Sequence, residues 1–418
     1  MGETGVAASP RRRWLPGDPV VGRLALATLV AASGRGIFFT ISALYFTRIV
    51  GLSVIEVGTG LSIAAAVGLF AGVPLGHLAD WVGPREVHVC LSALLALCLT
   101  AYLTVDEWWQ FVTVAAAVSS LMSGNNAVRN AMIAGLTRGA ARASTKAYLR
   151  AVTNLGMSLG TGVAALVLLV DTRVAYQAGM AVNAAAAACA AVIVWSLPHV
   201  PPTAAEQRRS MLYAARDVRF LAVVLASSVL TMHFWILEIA LPLWVVGHTE
   251  APRWLVSVLI GINTGAVILA QVRVARRVIT IRQAGRATTL AGVAILVGCL
   301  LMGLTAGLDR WPAAVLLVVA LLVLTVGELL QSAGGFVYSF ELPPEEAMGQ
   351  YQGLWGLNFG IASFVAPTVM ALLPLALGLT GWLLLGGLLL GAAVTTRWAG
   401  TRAAPPRPDR NQMGVSLP

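Results

Sequence analysis

Five side chains in this sequence can carry charge where their neighbours offer none. Arg35 sits in ASGRGIFFTIS, Arg129 in NNAVRNAMIAG, His233 and Glu238 in MHFWILEIALP, and Glu328 in LTVGELLQSAGG. The charges nearest to Arg35 are Arg23 and Arg48. A permanent cation that far inside an apolar run, some 18 Å at about 1.5 Å per residue, cannot comfortably reach water with its head group. It needs a wet cavity, a carboxylate or an anionic ligand, as buried charges in membranes do. Glu328 is the complementary group, because a partly desolvated carboxylate can bind and release a proton near neutrality. It is the first candidate for a proton site, or else a static partner for Arg35 or Arg129; Glu238 is the second candidate. His233 and Glu238 lie five positions apart and point about 140° apart on a helix, so they do not form one pair. His233 is expected as a hydrogen-bonded wall of the cavity. Arg129, with Asn125, Asn126 and Asn130 beside it, is a candidate for an inner gate. Trp235 and Trp355 either stack against an aromatic or cationic substrate or pack against neighbouring helices. The basic residues fall in the first half of the chain and the carboxylates in the second. An ion pair across a central cavity would then hold one conformation closed until the acid is protonated or a charged substrate binds.

These groups need elements that span a membrane. Hydrophobic residues make up 58% of the 418 and charged residues 11%, against about 25% charged in a soluble domain. Lipid must therefore be the solvent for most of the chain. Spans of about 20 apolar residues recur twelve times between residues 22 and 397, the fifth at 147–170 and the last two at 348–373 and 378–397, divided at Pro374, Gly378 and Gly381. The expected fold is an all-α integral membrane protein, twelve transmembrane helices in two pseudo-symmetric six-helix halves around a central cavity. The expected parts are an N-terminal tail (1–21), a first half (22–196), a central loop (197–218), a second half (219–397) and a C-terminal tail (398–418). No cleavable signal peptide is visible, and the first apolar segment is long enough to stay in the membrane.

Arg and Lys orient the spans. Placing the termini in the cytoplasm leaves 22 basic residues in inside loops and tails and four outside, at Arg48, Arg173, Arg253 and Arg310. That asymmetry makes the chain multi-pass with both termini cytoplasmic. Tryptophans near span ends, among them Trp108, Trp109, Trp195 and Trp311, fit interfacial belts. The net charge of +10 thus reflects loops facing the cytoplasm rather than a nucleic-acid surface. The cysteines, Cys90, Cys98, Cys189 and Cys299, all lie within spans and lack metal-ligand spacing. No G-x-x-x-x-G-K-[ST] and no H-E-x-x-H occurs, and the histidines are scattered, so ATP-driven transport, a metal site and an enzyme are not expected. The single lysine, Lys146, in ASTKAY, gives no intramembrane Schiff-base site.

Two glycine series add packing information. Gly68, Gly72 and Gly76 are spaced i, i+4, i+8, and Gly349, Gly353, Gly356 and Gly360 follow 4, 3, 4 spacing. Each makes one smooth helix face, and the two faces are expected to pack together across the halves. Asp80 would then lie at the start of the eleventh helix, whose dipole favours an anion. The acidic stretch ELPPEEAM (341–348) is expected to pair with the arginine-rich loop 273–286 or to remain solvated.

The deep charges recur in spans 1, 4, 7 and 10. With the stretch GHLADWVGPREV (76–87), this pattern resembles the major facilitator superfamily over nearly the whole chain. That family's signature after its second helix is G-x-L-A-D-R-x-G-R-K/R. Gly76, Leu78, Ala79, Asp80, Gly83 and Arg85 match it, while Trp81 and Pro84 stand where Arg is usual. The resemblance implies alternating access around a cavity lined by helices 1, 4, 7 and 10, a gating role for the motif, which latches the halves in the outward-open state, and a monomer in the lipid bilayer. The family's drug:proton antiporter branch carries a glycine-rich fifth helix ending in Gly-Pro. Here Gly156, Gly160 and Gly162 are present without the proline, and Arg129 lacks that branch's Gln-Gly four residues on. Sparse loops and a mostly apolar cavity favour proton-coupled efflux of drug-like or natural-product small molecules, with the proton as coupling ion and no cofactor. Symport or facilitated import of a small metabolite or sugar is the alternative, supported by Asn125, Asn126, Asn154, Asn263 and Asn358. Many arginines beside one lysine, with alanine tracts, resemble actinobacterial members and a bacterial cytoplasmic membrane.

Overall fold

The computed structural model describes residues 18–203, 210 and 212–403. Most of the N-terminal tail, the middle of the central loop and the tail beyond 403 lie outside the described residues. In a bilayer every backbone N–H and C=O must be satisfied within the chain, and helices do this locally. The first half supplies α1 (Pro19–Leu44), α2 (Val54–Val82), α3 (Pro84–Ala101), α4 (Trp108–Leu136), α5 (Ala140–Val170) and α6 (Arg173–Trp195). The second supplies α7 (Val218–Thr231, resuming at Leu241–His248), α8 (Leu255–Ala275), α9 (Ile281–Gly303), α10 (Arg310–Glu341), α11 (Met348–Met370) and α12 (Ala376–Ala403). Among the described residues, eleven apolar helical stretches are long enough to cross a membrane. The last, Glu345–Ala403, holds both α11 and α12. It turns at Gly378, whose φ of 60° and ψ of −135° interrupt the helix at a position that favours glycine. Helix starts carry their own signals: Ser53 with Glu56 and Thr280 with Gln283 form capping boxes, and Asp217 accepts from two backbone N–H groups at the start of α7.

Within the first half α1 packs on α5 and α6, and α2 on α4; in the second α9 packs on α10 and α12. The halves meet mainly through α11 with α2 and α4, and through α5 with α8 and α10. The end of the bundle where α1 begins is here called proximal, the opposite end distal. The distal hydrophobic clusters are each confined to one half. Tyr45, Phe46, Tyr102 and Phe111 pack together in the first, and Trp244, Leu317 and Trp382 in the second. Two proximal clusters instead mix both halves: Phe340 and Met348 pack among Leu24, Ile133 and Val194, and Ala143 and Ala147 among Phe336 and Val337. The two halves are thus sealed at the proximal end and separately cored at the distal end.

Three helices change pitch toward the distal end. π turns occupy Tyr45–Ile49 after α1, Ile236–Ala240 within α7 and Ala371–Leu375 after α11. Pro242 and Pro374 each lack the N–H that a carbonyl four residues earlier would use, so the regular ladder gives way at those two sites.

The seal rests on glycine. A methyl group at Gly76 would overlap the carbonyl oxygen of Gly349, and one at Gly353 would overlap the carbonyl oxygen of Gly72. The glycine faces do not match along their whole length, however. Gly68 abuts Ser119 of α4 in its own half, Gly360 abuts the Leu69 side chain, and Gly356 has nothing within 4 Å. Helices that cross at an angle touch over only about two turns, so only the proximal pairs reach backbone distance. Gly76→Val should therefore cost about 1–3 kcal/mol of this packing. Spin labels at the proximal ends of α4 and α10 should report a longer distance in that variant; an unchanged distance distribution would show that the glycines do not hold the ends together.

Candidate functional site

The fifth helix begins at Ala140, seven residues ahead of the apolar run that announces it. This places Arg142, Lys146 and Arg150 inside a helix at i, i+4 and i+8, on one face. All three engage the second half. Arg142 Nη2 donates to Glu345 Oε1 at 2.8 Å. Lys146 Nζ donates to Ser339 Oγ at 3.2 Å and lies over the Phe340 ring, 4.9 Å from its centroid. Arg150 Nη2 donates to Glu328 Oε1 at 2.8 Å, its Nη1 donates to Ser332 Oγ, and its guanidinium lies 4.7 Å from the Phe234 ring centroid.

Glu328 is also tied within its own half. Its Oε2 accepts from Asn263 Nδ2 of α8 at 3.0 Å, and the same amide donates to Thr325 Oγ1 at 3.0 Å. The Glu328 side chain is only 7% exposed and that of Arg150 24%. Phe234 and Trp235 sit where α7 is interrupted, between Thr231 and the π turn. The Trp235 ring packs 5.0 Å from that of Phe359 on α11. The interruption in α7 thus lies beside the buried ion pair.

The partner of Glu328 is therefore Arg150, not Arg35 or Arg129. Arg150 reads as a loop charge in the sequence because Ser144, Thr145, Lys146 and Tyr148 surround it. The four-residue spacing of its cations was the signal available. Arg35 and Arg129 instead line a cavity of about 260 Å³ whose walls belong entirely to the first half. Glu238 lies in the π turn of α7 with its side chain exposed, away from the ion pair. His233 is buried, and its Nδ1 lies 2.8 Å from the Leu230 carbonyl of its own helix. Trp355 packs near Phe220, in a cluster with Tyr351 and Leu354 toward the proximal end, rather than at mid-span.

A second polar group closes the proximal end. Asp80 Oδ1 accepts from the Gly349 N–H at 2.7 Å and Oδ2 from the Gln350 N–H at 3.2 Å. These donors open α11, where the helix dipole also favours the carboxylate. The Asp80 carbonyl accepts from the Thr203 N–H, and His77 Nδ1 lies 2.9 Å from Gln350 Nε2. Gly83, at φ 114°, forms the corner between α2 and α3. Arg85 does not cross to the other half: it lies over Trp195 at 5.0 Å and beside Glu86 at 3.8 Å. Glu345 pairs with Arg142 rather than with the 273–286 loop, because α5 brings its cation closer.

Comparison with known proteins agrees with this architecture. Residues 24–367 match the Major Facilitator Superfamily. No curated protein matches the chain. Among solved structures, a bacterial homologue of the iron transporter ferroportin in an outward-facing state superposes with a TM-score of 0.71 at 13% identity, covering 92% of this chain and 99% of that one. The E. coli fucose:proton symporter gives 0.72 at 11% identity, covering 92% and 98%. The human organic anion transporter MFSD10 gives 0.63 at 17%, covering 93% and 100%. At these identities the likeness is one of fold. The family match over most of the chain, together with the helical halves and their latch, makes this protein a member of the Major Facilitator Superfamily.

Proposed function

We propose that the protein is a proton-coupled exporter of lipophilic, drug-like or natural-product molecules, working by alternating access in a bacterial cytoplasmic membrane. The observation that carries this reading is the Arg150–Glu328 pair, which bridges the halves at mid-depth beside the broken α7. The excess of Arg and Lys in the proximal loops puts that end in the cytoplasm. The sealed proximal end then corresponds to an outward-open conformation. With Glu328 ionised, the pair holds α5 against α10. A proton arriving from outside neutralises Glu328 and removes the Coulombic part of that contact. The α5–α10 seam loosens, the proximal ends separate, and the site faces the cytoplasm. Substrate then enters beside Phe234, Trp235 and Phe359, where aromatic faces suit lipophilic or cationic molecules. Release of the proton inward re-forms the pair and returns the cycle.

Symport of a sugar or other polar metabolite fits less well. It needs free amides facing the site, yet Asn263 is engaged with Glu328 and Asn358 Nδ2 donates to Ser227 Oγ. The relatives named as proton symporters share only the fold.

Two outcomes are expected. In inverted vesicles carrying a proton gradient and an internal pH dye, lipophilic cations and natural-product antibiotics should elicit proton release. Glu328→Gln should reduce that release at least about tenfold, as loss of an essential proton-transfer group does. Release that persists in this variant would remove Glu328 from the coupling step. In thermal or denaturant unfolding, Arg150→Gln should destabilise by about 3–5 kcal/mol, since it strands a buried carboxylate. Adding Glu328→Gln to it should recover most of that loss, whereas additive losses would mean the two do not act as a pair.

A further inference from the structure

The cavity around Arg35 and Arg129 has a charge composition that the transport reading does not use. Its walls come from α1, α3, α4, α5 and α6, and their polar side chains include Arg35, His88, Ser92, Asn125, Asn126 and Arg129. No carboxylate lines it. Arg129 Nη2 donates to Asn126 Oδ1 at 3.2 Å, but its Nε is buried with no partner. His88 is 9% exposed, and its Nδ1 is likewise buried and unpartnered. Among the described residues Arg35 makes neither a hydrogen bond nor an ion pair. Two guanidinium groups sharing a cavity at membrane depth repel each other and have lost much of their hydration. Such an arrangement is costly unless negative charge enters. The fork of N–H donors on each guanidinium matches a carboxylate or phosphate. A volume of about 260 Å³ accommodates a small oxyanion or the anionic head of a larger molecule.

We propose that this cavity inside the first half is an oxyanion-binding site, with Arg35 and Arg129 as the charged ligands and Ser92, Asn125 and His88 as polar supports. The oxyanion is a carboxylate or a phosphate, supplied either by a free anion or by the head group of an anionic lipid. The site is separate from the Arg150–Glu328 pair, so an occupied anion stabilises the first half whichever way the transporter faces.

The test is thermal unfolding of the full chain in phosphatidylcholine nanodiscs, with inorganic phosphate or acetate added and sodium chloride at equal ionic strength as control. Phosphate or acetate should raise Tm by about 3 °C or more at saturation. Arg35→Gln and Arg129→Gln should abolish that rise, while their Tm without added anion stays level or increases because an uncompensated charge is gone. A purely structural arginine would instead lower the anion-free Tm. In discs containing phosphatidylglycerol, a lipid source predicts a raised Tm before any addition and no further response to phosphate; a free-anion source predicts no difference between discs. Should Arg129→Gln fail to fold, Arg35→Gln and His88→Gln carry the same comparison. The proposal is overturned if neither phosphate, acetate nor phosphatidylglycerol moves Tm, or if the arginine variants keep the rise. Glu328→Gln should retain the anion response, so failure of proton coupling and failure of this site are read separately.

Discussion

Arg150 and Glu328 join the two halves where the carboxylate is almost wholly buried, and the neighbouring contacts grade outward from them along α5. Glu345, which receives Arg142, is 78% exposed on its side chain, against 7% for Glu328. An exposed pair contributes about 0–1 kcal/mol and weakens with salt. Stranding one member of a buried pair costs about 3–5 kcal/mol. The seam therefore has a soft outer end and a hard inner end. Salt weakens the first far more than the second. Lys146, held by Ser339 and two phenylalanine rings, lies between them.

The eleventh helix links this seam to the latch. Its first N–H groups are held by Asp80, its Gly349 and Gly353 sit against α2, Asn358 ties it to α7, and Phe359 faces the interruption in α7. A rigid helix with one end in the latch and its middle at the aromatic site cannot shift at one without shifting at the other. Asp80 is matched by backbone N–H groups and Glu328 by a full cation.

Much of this was legible in the sequence, and the misses share a cause. Composition, span length and charge asymmetry report directly on the solvent, which is why the membrane fold and its helical layout followed from them. The glycine spacing on the second and eleventh helices pointed to the close approach there, and Asp80 meets the start of the eleventh helix as that approach requires. Arg150 was hidden because α5 continues past the hydrophobic slab, and a hydropathy window ends where the lipid ends rather than where the helix does. Arg35 and Arg129 were singled out as charges inside apolar spans and line a cavity of the first half, but sequence carries no information on which wall of a helix faces which cavity. Glu238 shows the same limit: an acid in an apolar run does not reveal that its side chain is exposed on the π turn.

Those π turns carry a mechanical consequence. α1, α7 and α11 each hold a residue of slack toward the end of the bundle where the halves are not packed together. A π turn that reverts to α pitch advances everything beyond it by one residue, a rotation of about 100° with about 1.5 Å of travel. The tips of three helices can therefore swivel toward one another while their membrane-buried shafts stay fixed. The proximal end is fastened by glycine, carboxylate and cation; the distal end has no such fastening to undo. Its closure becomes a matter of re-threading helix pitch, and the two gates of one transporter would then work by different physics.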